Sequence, residues 1–74
     1  MDNTKEVITH IKTNIAFNKD DIYGTRGKLI NLIDEYSNTN KVGYLYDAKE
    51  LIDDIIEYEA QNKALKSVLA QLEG

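Results

Sequence analysis

Tyr44, Leu51, Tyr58, Leu65 and Leu72 recur every seven residues, interleaved with Ala48, Ile55, Asn62 and Leu69. A seven-residue apolar repeat lays one continuous stripe along an α-helix, and that stripe has to be covered by another helix. No proline occurs anywhere in the chain, so nothing interrupts a helix from Tyr44 to Glu73. With Tyr44 as a d position, leucine fills three of the five d sites, Ile55 and Leu69 fill a sites, and Asn62 is a polar a residue. In dimeric coiled coils a lone asparagine at such a site selects register and partner number. The seam can be covered by a second copy, giving a homodimer through Leu51 to Leu72. It can equally be covered internally, because a helix of about thirty residues is about 45 Å long and the two segments before it would span a similar length end to end. A third arrangement breaks the helix near Asn62 and folds Lys63 to Leu72 back as a short last helix.

Ahead of the seam, Asn3 followed by Glu6 marks a helix start, and Val7, Ile8, Ile11 and Ile15 share one stripe. This first helix is expected from about Thr4 to Ala16. Asn18, Lys19 and Asp20 read as a tight connection, with Asp20 or Asp21 capping the next segment. That segment carries Ile22, Leu29, Ile30, Leu32, Ile33 and Tyr36, while Gly24 and Gly27 each cost about 1 kcal/mol of helix propensity relative to alanine and loosen its start. Ser37, Asn38, Thr39 and Asn40 are turn chemistry. The expected fold is therefore all-α: one domain over residues 1–74, a small bundle of three to four helices, the last one long or broken near Asn62.

The chemistry open to such a chain is narrow. Without cysteine there is no disulfide, thiolate zinc site or cysteine nucleophile, and His10 is the only histidine, so a Ser-His-Asp arrangement has no support. Glu50, Asp53, Asp54 and Glu57 fall three or four residues apart and in principle could hold a magnesium ion. This stretch resembles half of the carboxylate pattern of all-α nucleotide pyrophosphohydrolases. The other half, a paired Glu-x-x-Glu on a neighbouring helix, is absent, and the expectation is a non-enzyme with no catalytic, cofactor or metal residues. Arg26, Leu29, Ile30, Leu32, Ile33 and Tyr36, followed by Glu50 and Leu51, resemble the helical-hairpin phosphatases of the sporulation relay. The aspartate their signature needs after leucine is Ile52 here, so that activity is not carried over.

Thirteen acidic residues against nine basic give a net charge of -4 and a sequence pI near 4.8. That balance weighs against broad charge-driven binding to nucleic acid or anionic lipid, though it leaves room for a local basic patch. Ile22 to Ile30, with Gly24, Arg26 and Gly27, resembles the Gly-x-x-Gly element of KH domains, which implies an RNA-binding loop as an alternative function. No run is long enough to span a bilayer and the N-terminus lacks the features of a secretory signal, so the chain reads as cytoplasmic.

Five tyrosines against one phenylalanine and no tryptophan favour wet, half-buried protein interfaces. The candidate partner-binding residues are Tyr44, Tyr46, Tyr58, Asn62, Leu65, Leu69 and Leu72. The first amphipathic helix running into Ile22 and Tyr23, together with Ile56 to Lys63 and the amphipathic end beyond, resembles the small helical immunity proteins that protect producers of pediocin-like bacteriocins. That resemblance implies a four-helix bundle in the cytoplasm, with Asn62 to Gly74 as a fourth, recognition helix. The functional expectation is a helical protein-protein interaction module: an immunity protein, or a small, phage-encoded or bacterial, inhibitor or regulator of a protein target. A dimeric coiled-coil regulator is a further alternative.

Overall fold

The computed structural model describes residues 3–74; Met1 and Asp2 lie outside the described residues. Two helices account for nearly all of it, α1 over Thr4–Thr39 and α2 over Gly43–Glu73. They pack against each other as a rod of 60 × 15 × 14 Å. The chain is thus a helical hairpin, not a bundle of three to four helices.

The correction concerns Asn18 to Gly27. The helix does not stop at Ala16, the Asn18-Lys19-Asp20 connection is helical, and Asp20 and Asp21 cap nothing because they sit in the interior of α1. The reason is a second seam. Ile8, Ile11, Ile15, Asn18, Ile22, Thr25, Leu29, Leu32 and Tyr36 follow alternate spacings of three and four residues, and all of them are buried or half-buried. Asn18 and Thr25 are two of its d positions and break the apolar run to the eye while keeping the spacing. A stripe that stays in phase over 36 residues gains more from packing on α2 than the local propensity of Asn, Asp and Gly takes away.

The turn falls where small polar residues predicted it. Asn40 adopts the left-handed conformation at φ 57°, ψ 23° and donates its backbone N–H to the carbonyl of Tyr36. Thr39 Oγ1 donates to the carbonyl of Glu35 at 2.7 Å, closing the last turn of α1. Asparagine tolerates this conformation better than other residues with a β-carbon. At the other end of α1, Val7 N donates to the carbonyl of Asn3 at 3.0 Å, so the helix begins where Asn3 predicted, yet the Asn3 side chain makes no capping bond. α2 runs without a break through Asn62.

Because two helices bury only one seam, burial is shallow. The buried set is Ile11, Ile15, Ile22, Ala48 and Asn62, and the remaining seam residues are half-buried apart from Leu72 at 38% exposure. A compact monomer of this mass would expose about 4,600 Å², against 5823 Å² here.

Gly24 and Gly27 sit in the middle of α1, and a β-carbon built on either would meet no atom within 4 Å. The glycines leave room that nothing in the chain uses. Replacing both by alanine should raise stability by about 1–2 kcal/mol, through lower unfolded-chain entropy and better helix propensity. A urea melt checks this, and a midpoint that does not move would mean that α1 is already frayed there.

Candidate functional site

The two seams meet in one register, anchored at a polar layer. Asn62 is 3% exposed; its Oδ1 accepts from Asn18 Nδ2 at 2.9 Å and its Nδ2 donates to the carbonyl of Ile15 at 3.3 Å. Asn18 Nδ2 also reaches Gln61 Oε1 at 3.4 Å. Both ends of the Asn62 amide are satisfied, which is the condition for burying it without a large penalty. With Asn18 level with Asn62, the heptads place Ile22 level with Tyr58, Ile15 with Leu65, Ile11 with Leu69, and Leu32 with Ala48. Every layer pairs an a residue with a d residue, as antiparallel helices do.

This register decides the fate of the sequence candidates. Tyr44, Tyr58, Asn62, Leu65, Leu69 and Leu72 all lie on the seam, and all but Leu72 are buried or half-buried on the side of α1. The surface for a homodimer through Leu51 to Leu72 is accordingly covered internally as far as Leu69. Of the seven, Tyr46 stands furthest clear, 70% exposed near the turn. The Gly24-to-Gly27 element is helical and forms no loop. Among the described residues no group of three or more His, Asp or Glu side chains is arranged to hold a metal ion, and Glu50, Asp53, Asp54 and Glu57 are all exposed.

What sequence reasoning missed are the two long faces beside the seam. In an antiparallel pair the e positions of both helices flank one side and the g positions flank the other, with b and c residues extending each face outward. Groove-lining residues show both sides directly: Lys19, Arg26, Glu59 and Lys66 surround one groove across Ile22 and Asn62, while Asn14, Phe17, Gln61, Ala64 and Val68 surround another across Asn18 and Leu65. A third groove, on the same side as the second, is rimmed by Lys28, Glu35, Asp47 and Glu50.

Charge divides between these sides. The e-side collects Lys5, Lys12, Lys19 and Arg26 from α1 at seven-residue intervals, and Lys49, Lys63 and Lys66 from α2, with Glu59 and Glu73 as its acidic residues. Lys12 Nζ lies 3.7 Å from Glu73 Oε2, an exposed pair that contributes little by itself. The g-side collects Asp21, Glu35, Asp47, Glu50, Asp54 and Glu57, with Lys28 among them. A net charge of -4 conceals one basic face and one acidic face.

Apolar side chains left outside the seam divide along the same lines. On the e-side, toward the turn, Ile30, Ile33, Leu45, Ile52 and Ile56 are exposed, and Tyr23 adjoins them at 78% exposure. On the g-side, toward the open end, Val7, Phe17 and Val68 are exposed, Phe17 at 62%. Each face thus has a charged half and a mainly apolar half, in opposite order, with Lys49 standing inside the apolar half of the basic face. A heptad of lysine and arginine running from Lys5 to Arg26 was the available signal, legible only once α1 is known to be continuous.

No protein-family model, curated protein or solved structure matches the chain. No helix among the described residues is long and apolar enough to cross a membrane.

Proposed function

We propose that this protein is a non-enzymatic interaction module that works by presenting the two faces of a helical hairpin to protein surfaces. The observation that carries the reading is the gathering of exposed apolar side chains, Ile30, Ile33, Ile52 and Ile56 on one face and Phe17 and Val68 on the other, each next to a block of like charge. Scattered apolar residues on a surface need no explanation, whereas contiguous patches rimmed by charge mark docking surfaces. The charged halves would steer a complementary partner and set its orientation, and the apolar halves would supply most of the affinity. An inhibitor or regulator of a protein target, which includes the immunity-protein class, fits this mode of action.

The test is a photo-crosslinking residue placed at Ile56 or Phe17, or at the outward positions Asp34 or Asp53, in the producing cell. The two face positions should give discrete protein adducts and the outward positions none. Equal labelling at all four, or none at any, would remove the reading. The basic stripe also supports a second reading, contact with nucleic-acid phosphates. Adducts that disappear on nuclease treatment would favour it.

A further inference from the structure

We infer that the e-side is the seat of a single amphipathic α-helix of another protein, acidic at one end and apolar at the other, lying along the hairpin as the third helix of a bundle. The inference rests on the reading of the faces as protein-docking surfaces and names the chemistry of one occupant. On both helices the e positions and the b positions outside them recur at alternate spacings of three and four residues, the spacing by which one helix packs on another. From Ile30 on α1 and Ile56 on α2 to the turn, these sites hold Ile30, Ile33, Leu45, Ile52 and Ile56, all exposed. A helix with one neighbour needs apolar residues only at a and d, and a stripe widened to e is that of a helix with a further neighbour. Lys49 is the one charged residue among these sites; its stem covers apolar surface while its head reaches water.

Toward the open end the same strip turns basic. Lys12, Lys19 and Arg26 continue the e positions of α1, and Lys63 and Lys66 the b and e positions of α2. With Lys5, six cations stand there against two carboxylates, Glu59 and Glu73. Glu73 is taken by Lys12, and Glu59 shares a groove with Lys19, Arg26 and Lys66. A helix that covers the isoleucines and continues along the groove therefore needs carboxylates at its far end. Lys12 and Ile33 are 21 residues apart, about 32 Å along α1, so the occupant is about six turns long. Phosphate partners fit this strip less well. A nucleic-acid backbone has nothing to set on Ile30, Ile33 and Ile52, and a flat anionic bilayer would bring its charge down on the carboxylates of Glu6, Asp20, Asp34 and Asp53 at the outer rim. A helix seated between α1 and α2 is narrow enough to leave that rim in water.

The experiment extends the crosslinking in the producing cell. The photo-reactive residue is placed at Ile56 in one chain and at Ala70 in another, two exposed b positions of α2 that are 14 residues apart, about 21 Å. Peptide mapping should place both adducts on one segment of one partner protein, at sites about 14 residues apart, with carboxylates around the Ala70 site and apolar residues around the Ile56 site. A partner in extended conformation would cover the same distance in about six residues. Two further chains, each with the crosslinker at Ile56, carry the same change in net charge. Lys12→Gln, Lys19→Gln, Lys66→Gln on the strip should lower the adduct yield about fivefold or more, and Thr13→Glu, Ala60→Glu, Ser67→Glu at outward positions should leave it within about twofold.

Sites about six residues apart, a labelled segment without carboxylates at its Ala70 end, or a strip variant that loses no more than the outward one would overturn the inference. So would an adduct with a second copy of this chain, with lipid, or with material that nuclease removes. Discrete protein adducts at Ile56 and Phe17 would still support the docking reading when the spacing or the charge test fails, whereas no adduct at any position removes both, so the two failures are distinguishable.

Discussion

Asp20→Pro should remove a large share of the protein's stability. Asp20 sits in the middle of α1, where proline removes one intrahelical hydrogen bond and drives its ring into the carbonyl one turn back, at a cost of about 3 kcal/mol or more. A chain of 74 residues has roughly 4–11 kcal/mol of total stability at about 0.05–0.15 kcal/mol per residue. The loss also falls on both halves of the hairpin, since a kink in α1 takes Asn18 out of line with Asn62. Circular dichroism at rising urea should show the midpoint fall by about a quarter or more. Val42→Pro provides the contrast. Val42 has φ -60°, a value proline already prefers, and it precedes the first residue of α2, where a missing N–H matters least. That variant should melt within about 1 kcal/mol of the parent. The reverse order, a tolerated proline at position 20 and a disruptive one at position 42, would mean that the chain turns where a first reading of Asn18, Lys19 and Asp20 puts the turn.

Ile15→Ala should cost about 2–4 kcal/mol, and Ile30→Ala less than about 0.5 kcal/mol. Both are isoleucines of α1, two turns of heptad apart, with the same propensity and the same change in volume. Ile15 is buried at the seam, level with Leu65, and its carbonyl receives the Asn62 amide. Truncating it leaves a void beside the polar layer, where neighbours held by hydrogen bonds collapse poorly into the space. Ile30 is 57% exposed, on the e-side. At about 4–8 °C per kcal/mol for a domain of this size, thermal melts should separate the two variants by about 6–30 °C. Equal shifts would remove the assigned seam. Ile30→Ala has a second consequence: it should weaken docking of a protein partner on the e-side while leaving the hairpin intact. A residue that matters for binding and not for folding belongs to a docking surface.

The parts of the fold that could be read in the sequence are those where spacing and chemistry agree. From Tyr44 to Leu72 the heptad is filled mostly by Leu, Ile and Tyr, and of the two expected courses, continuous or broken near Asn62, α2 takes the continuous one over Gly43–Glu73. Ser37 to Asn40 are residues that compete for backbone hydrogen bonds, and the chain reverses at Asn40. Where spacing and chemistry disagree, spacing prevailed. Asn18, Thr25, Gly24 and Gly27 carry every local sign of a break, yet α1 passes through all four. Asn18 is tolerated at the seam because Asn62 answers it from the other helix. Neither asparagine can be assigned that role alone, since the pair is separated by 44 positions in the chain.

The candidate interface shows the same division. Leu65, Leu69 and Tyr58 look like partner-binding residues for as long as the cover for their stripe is unknown, and α1 turned out to be the cover. The faces that remain exposed, basic with isoleucine on one side and acidic with phenylalanine and valine on the other, depend on which residues of α1 share a side with which residues of α2. Residue order along each helix contains half of that information. The pairing of the helices contains the other half.

By itself, then, the sequence determined that this chain is helical, that its second half carries a regular amphipathic repeat, and where it doubles back, because propensity, periodicity and turn chemistry act over a few residues at a time. The tertiary structure decided that there are two helices and not three or four, and which side chains are left for a partner. Those outcomes turn on contacts between residues far apart in the chain: a buried amide is acceptable only if another helix satisfies it, and a face exists only once two helices stand in register.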